Sequence, residues 1–208
     1  MTPPEPSAVP EAPSNLNIAN ALTVVRIAGV PLFGWLLLFD AGQQVEWRLW
    51  AFLAFGLLMV TDRIDGDIAR SRGLVTDFGK LADPIADKAL TGMAFIGLAL
   101  IFDHWLFWLV TVAVLVREWG ITIMRLFIKK YGVMPASQGG RIKTTLQATA
   151  LAGYILPLEL WDTAASDVAL WVTHVLMAGA VAITMVTAWQ YVVDARRIRA
   201  DFLAARPS

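Results

Sequence analysis

Four aspartates with helical spacing stand out between residues 62 and 87. Asp62 and Asp65 are three positions apart, and Asp83 and Asp87 are four apart. Residues at these separations share one face of a helix, so each pair presents its carboxylates together. In a membrane helix a carboxylate costs about 2.5–3.5 kcal/mol even on the mild translocon scale. Mg²⁺ or Mn²⁺ would compensate this cost, because hard cations prefer oxygen ligands. The spacing predicts a site for two divalent ions that clamp phosphate oxygens.

Small and basic residues accompany the aspartates. Gly66 and Ala69 follow the first pair by about one helical turn, and Gly79 precedes Asp83 by one turn. They leave room for a ligand to approach the backbone, and Arg70 can bind a phosphate through two hydrogen bonds. The remaining charges of the segment are expected to be solvated at the headgroup level, outside the site: Arg63, Asp67, Arg72 and Asp77.

The elements that position these residues are membrane helices. The chain is 57% hydrophobic and 16% charged, with nine tryptophans, no cysteine and a net charge of zero. This composition excludes a soluble domain and thiol chemistry, and it gives no sign of a nucleic-acid partner. Six stretches are long and apolar enough to span a bilayer. They are 22–39, 49–71, 79–102, 105–129, 142–160 and 168–195.

The predicted fold is an all-α membrane protein with six transmembrane helices. Residues 15–21 are expected to form a juxtamembrane helix before the first span. The proline-rich residues 1–14 are expected to be a disordered cytoplasmic tail, and 15–208 a single six-helix domain. Glycines such as Gly92 and Gly97 in the third span would permit close helix packing.

Lysine and arginine predict the orientation. With six spans, both termini and the loops near 72–78 and 130–141 lie on one side, which collects most of the basic residues. Arg48 is the one arginine of the opposite loops. The protein is therefore predicted to be multi-pass in the cell (inner/plasma) membrane, with the aspartates and both termini cytoplasmic. The two histidines, His104 and His174, fall near the outer side and are expected to be structural.

The spaced residues resemble the signature of the CDP-alcohol phosphotransferases, a family that moves a phosphatidyl or similar group from a CDP-linked donor onto an alcohol. Every position of that signature is present. In this chain it reads Asp62-x2-Asp65-Gly66-x2-Ala69-Arg70-x8-Gly79-x3-Asp83-x3-Asp87.

The resemblance implies a role for each position. The four aspartates would bind the two metal ions, and Asp87 would also be the catalytic base that takes the proton of the attacking hydroxyl. The hydroxyl would attack the β-phosphorus directly, without a covalent enzyme intermediate, and CMP would leave. The CDP-lipid would contact Gly66, Ala69, Arg70 and Gly79. It would also contact Thr76, which occupies a loop position that contacts the nucleotide in some relatives.

Three further segments are similar to the branch of the family that uses sn-glycerol 3-phosphate and forms phosphatidylglycerophosphate. In that branch the common residue at the position of Arg141 is lysine. The segments are Asn20-x2-Thr23-x2-Arg26, Arg117-Glu118 with Arg125, and Gly140-Arg141-x-Lys143-Thr144-x2-Gln147.

These segments allow more than one interpretation. Four cations could enclose the acceptor phosphate: Arg117, Arg125, Arg141 and Lys143. Alternatively, Arg141 and Lys143 anchor the chain at the headgroups, and Arg117 forms an internal ion pair with Glu118. The polar face of the first span, Asn20, Thr23 and Arg26, either holds the nucleotide or only anchors the helix.

The resemblance thus implies CDP-diacylglycerol, glycerol 3-phosphate, membrane lipids and a second copy of the chain as partners. Two related alternatives remain, a phosphatidylinositol-phosphate synthase and a cardiolipin synthase of the CDP type. A cation transporter is a third alternative. A transporter would place its ligands near the bilayer midplane, whereas these aspartates lie at one end of two spans.

Overall fold

The computed structural model describes residues 18–71, 76–128, 131 and 138–204. The predicted tail, 1–14, lies outside this part of the chain. Within it the regular structure is helical, with six α-helices and two short 3-10 helices at Phe39–Gly42 and Leu158–Leu160. The α-helices are α1 (Ile18–Leu38), α2 (Val45–Ser71), α3 (Asp77–Phe102), α4 (Trp105–Ile128), α5 (Gln138–Ile155) and α6 (Ala164–Ala204).

Each predicted span corresponds to one helix, with differences at the ends. The fifth ends at Ile155 rather than residue 160 because Pro157 cannot continue a helix. The prediction of a separate juxtamembrane helix over residues 15–21 is wrong for residues 18–21, which are the part of it that the structure describes. Residues 18–21 form the first turn of α1, since no glycine or proline interrupts the chain there.

Four helical segments are long and apolar enough to cross a membrane within the described ranges: Asn20–Gly42, Ile85–Phe102, Trp105–Arg125 and Ala164–Phe202. This result confirms an all-α membrane protein at the level of fold class. The helices α2 and α5 do not meet the same standard. Charged residues stand near both ends of α2, and the 18 residues of α5 are not apolar enough, since Arg141, Lys143 and several glutamines and threonines lie among them.

The six helices form a closed ring around a common core. Going round the ring, α1 packs on α2, α2 on α5, α5 on α6, α6 on α4, α4 on α3 and α3 on α1. The helices α3 and α5 also touch across it. Short connections make successive helices antiparallel, so the end of α2 and the beginning of α3 lie at the same end of the bundle. The buried core includes Phe33, Phe55, Leu90, Leu98 and Leu151.

Gly92 and Gly97, the two glycines expected to permit close helix packing, face other helices of the same chain. A Cβ atom on Gly97 would lie 2.6 Å from Cδ2 of Leu37, so this glycine lets α1 approach α3. A Cβ on Gly92 would lie 3.5 Å from Cδ2 of Leu115 on α4. Neither glycine therefore offers an argument for a dimer.

Arg48 joins three segments at the end of the bundle opposite the aspartates. Its fully buried side chain donates to the carbonyl oxygens of Gly42 at 3.2 Å, Ile155 at 2.8 Å, Tyr154 at 2.6 Å and Leu156 at 3.2 Å. It also forms an ion pair with the Glu159 carboxylate at 2.8 Å. The last carbonyls of a helix have no partner within that helix. Arg48 supplies partners for those of α5.

Candidate active site

Asp62 and Asp87 approach each other from different helices. Asp62 lies two-thirds of the way along α2, and Asp87 is about 15 Å along α3 from its first residue. Their carboxylates are close enough to interact electrostatically. Two carboxylates at such separation repel each other, and a nearby cation would relieve this repulsion.

The backbone of the other signature residues lies on the helices where they were predicted. Their side chains are not among those that the structure describes. Asp65 belongs to α2 and Asp83 to α3. The described side chains alone contain no group of three or more potential metal ligands. The undescribed signature positions are Asp65, Gly66, Ala69, Arg70, Gly79 and Asp83.

The polar face of α1 points into the bundle toward these aspartates. Arg26 is fully buried and forms an ion pair with Asp62. The Asn20 amide donates to the Thr76 hydroxyl at 2.8 Å, which ties the beginning of α1 to the residue before α3. Thr23 is buried on the same face. Since all of them lie inside the protein, anchoring at lipid headgroups does not explain this face.

A second polar cluster joins α4, α5 and α6. One oxygen of Glu118, Oε1, accepts from Arg117 Nη1 at 3.1 Å and also from the Nζ of Lys143. Arg117 Nη2 donates to the Thr187 hydroxyl at 2.8 Å. Lys143 is buried, so headgroup anchoring does not account for it. Arg141 belongs to α5, but its side chain lies outside the described part.

This cluster adjoins Asp87. The Asp87 carboxylate interacts electrostatically with both Glu118 and Lys143. Arg125 is more distant along α4 and is exposed, with its guanidinium carbon 4.7 Å from the centre of the Tyr191 ring. The structure therefore brings Arg117 and Lys143 to the aspartates and leaves Arg125 nearer the end of the bundle.

Sequence reasoning found only part of this cluster. It gave Glu118 only as a possible partner of Arg117, whereas Glu118 also binds Lys143. A lone carboxylate in a long apolar helix was the available signal. Sequence reasoning did not single out Thr187, or Tyr191, whose ring centre lies 6.0 Å from the guanidinium carbon of Arg117. Thr187 and Tyr191 carried no such signal, since such residues are common in membrane helices.

A cavity of about 670 Å³ lies toward the other end of the bundle, between α3, α4, α5 and α6. Its lining is mainly apolar, with Tyr154 and His174 among its polar members. The Tyr154 hydroxyl and His174 Nδ1 lie 2.6 Å apart. The lining residues that the structure describes include no carboxylate.

The family model for CDP-alcohol phosphatidyltransferases matches residues 16–202. The chain belongs to this family. The match includes both spaced aspartate pairs and the clusters around them.

Named relatives point to one branch. The chain is 42% identical over 181 residues to a probable phosphatidylglycerophosphate synthase of Mycobacterium tuberculosis, covering 87% of this chain and 82% of the relative. It is 38% identical to a CDP-diacylglycerol–glycerol-3-phosphate 3-phosphatidyltransferase of Bacillus subtilis, covering 84% and 93%. A CMP-forming cardiolipin synthase of Streptomyces coelicolor is 34% identical over 58% of the chain.

Proposed function

We propose that this protein transfers the phosphatidyl group of CDP-diacylglycerol to sn-glycerol 3-phosphate and releases CMP. Family membership supports the donor, and the names of the relatives support the acceptor. The structural observation that carries the proposal is a buried lysine, with an arginine of the same cluster, beside Asp87. A phosphomonoester acceptor, with about two negative charges, needs such cations more than phosphatidylglycerol, whose phosphodiester carries one.

The reaction is one displacement. The primary hydroxyl of glycerol 3-phosphate forms a bond to the β-phosphorus of the donor, and the bond from that phosphorus to the oxygen of CMP breaks. Asp87 takes the hydroxyl proton, as a base within reach of the nucleophile can. Arg117 and Lys143 hold the acceptor phosphate, so that the hydroxyl faces the diphosphate. Asn20, Thr23 and Thr76 position the nucleotide at the beginning of α1.

The residues present fit Mg²⁺ or Mn²⁺. Asp62 and Asp87 would supply oxygen ligands from two helices, and their mutual repulsion favours the binding of a cation nearby. Asp62, Asp65, Asp83 and Asp87 would hold two ions. When bound, the ions neutralise the diphosphate and stabilise the leaving CMP. Arg26 holds Asp62 in place from α1.

We also infer that all six α-helices cross the membrane, with the aspartates and both termini on the cytoplasmic side. The helices α2 and α5 complete the ring formed with the four apolar helices, which supports six spans. The excess of lysine and arginine at the aspartate end supports the orientation. A homodimer stays a prediction from the resemblance.

An acceptor comparison tests the proposed function. Purified protein in detergent receives CDP-diacylglycerol, Mg²⁺ or Mn²⁺, and one of glycerol 3-phosphate, inositol phosphate, serine or phosphatidylglycerol. CMP release is expected with glycerol 3-phosphate and with both metals individually. Release with inositol phosphate or phosphatidylglycerol, but not with glycerol 3-phosphate, would assign the protein to another branch. Turnover without a gradient excludes a purely transport role.

Replacing Lys143 with methionine is expected to weaken acceptor binding selectively. The loss of a hydrogen bond from a charged group corresponds to roughly a 10- to 100-fold rise in KM for glycerol 3-phosphate. The KM for CDP-diacylglycerol should stay within about twofold, because the lysine lies on the acceptor side of Asp87 in this proposal.

The matched control for Lys143→Met is Arg197→Met, which removes an exposed cation from α6. It should leave both KM values unchanged. A rise in the donor KM of Lys143→Met, with an unchanged acceptor KM, would move the lysine to the nucleotide site.

A further inference from the structure

Two buried polar atoms beside Lys143 lack hydrogen-bond partners among the described residues. One is a donor, Nε of Arg117, and the other is an acceptor, Oε1 of Gln147. Buried polar atoms in native proteins are nearly always paired, so each such exception calls for an explanation. A bound ligand with one acceptor group and one hydroxyl would satisfy both atoms.

Gln147 is placed to meet such a ligand. It follows Lys143 by one turn on the same face of α5, and its residue exposure is 6%. The Lys143 charge interacts with the Asp87 carboxylate, and α3 and α5 touch each other. The Gln147 amide, one turn from Lys143, therefore lies on the part of α5 that adjoins Asp87.

We propose that Gln147 determines acceptor specificity by accepting a hydrogen bond from the hydroxyl of the acceptor that does not react. Arg117 and Lys143 bind the phosphate one turn away, and Asp87 faces the reacting hydroxyl. This inference rests on the proposed function. It assigns the ligand of this part of the site to the phosphorylated polyols, because a phosphate at one end and a free hydroxyl beside it match the two unsatisfied atoms.

The consequence is discrimination against acceptors that lack the middle hydroxyl. A site with a buried polar atom rejects an analogue that cannot form a hydrogen bond with that atom. When such an analogue binds, the atom is removed from water and has no hydrogen bond to replace those that water made. The relevant comparison is glycerol 3-phosphate against 3-hydroxypropyl phosphate, which keeps the phosphate and the primary hydroxyl but lacks the middle hydroxyl. With an apolar residue in place of Gln147, the site would accept these two compounds alike.

The test measures kcat/KM for these two acceptors with the full-length protein and CDP-diacylglycerol. The unaltered protein is expected to prefer glycerol 3-phosphate by at least about tenfold. In Gln147→Met this preference should fall to about twofold or less, mainly through loss of activity on glycerol 3-phosphate. The KM for CDP-diacylglycerol should not change. Gln190→Met, an exposed glutamine on α6, is the matched control and should keep the preference.

A second variant covers the possibility that the methionine disturbs folding. Gln147→Glu keeps the size and the acceptor oxygen, so it should retain the preference while its charge lowers activity on both phosphorylated acceptors. An equal loss on both acceptors in Gln147→Met, or loss of the preference in Gln147→Glu, would overturn the assignment. If the unaltered protein does not use glycerol 3-phosphate, the proposed function fails instead, and that result is visible without any variant.

Discussion

Replacing Asp87 with asparagine is expected to lower CMP release by about 10²–10⁴-fold, the range that a positioned general base contributes. Asparagine has nearly the same shape but cannot take the hydroxyl proton. The substitution also removes one negative charge from a site that would hold two divalent ions. Asp87 lies within electrostatic range of both Asp62 and Lys143.

The measurement is steady-state CMP release with saturating CDP-diacylglycerol, glycerol 3-phosphate and Mg²⁺. Asp77→Asn is the control, since the sequence predicts that this aspartate lies outside the site, and it should stay within a few-fold of the unaltered protein. Size-exclusion profiles and unfolding temperatures of the two variants should agree. Near-normal turnover of a folded Asp87→Asn protein would remove Asp87 from the role of base.

Replacing Arg48 with alanine is expected to destabilise the protein by about 3–5 kcal/mol, the cost of removing one partner of a buried charged network. The guanidinium donates to four backbone carbonyls and one carboxylate, in the segment that connects α1 with α2, at the end of α5 and just after α5. Without it these carbonyls lose their partner, and the Glu159 charge loses its counter-ion. Arg48→Lys should lose part of this stability, because an ammonium group cannot reach all five acceptors.

Thermal unfolding in detergent measures this effect. A loss of this size lowers the midpoint by roughly 6–20 °C in a domain of this length. Arg197→Ala, which removes an exposed arginine, should change it little. The KM values of the folded Arg48 variants should be normal, since Arg48 lies at the opposite end from Asp87. An unchanged midpoint for Arg48→Ala would mean that water replaces the guanidinium at little cost.

The two arginines Arg48 and Arg26 show where sequence reasoning stops. Both were expected to act at a surface or on a ligand: Arg48 as a loop charge and Arg26 as a headgroup anchor or nucleotide contact. In the fold both are fully buried and bind acidic residues distant in the chain, Glu159 and Asp62. The hydropathy pattern located the helices that carry them but contained no information about their partners.

The sequence by itself determined the helices, the face shared by Asp83 and Asp87, and the family. These features depend on local spacing, because helical periodicity repeats every few residues and a span needs only a continuous apolar stretch. Only the tertiary structure decided which helices are neighbours. That arrangement brings Lys143 to Glu118 and both to Asp87, and it leaves atoms of Arg117 and Gln147 buried without described partners. The physical reason is that charges and polar atoms inside a bundle are paired across helices, and helix packing is a property of the whole chain.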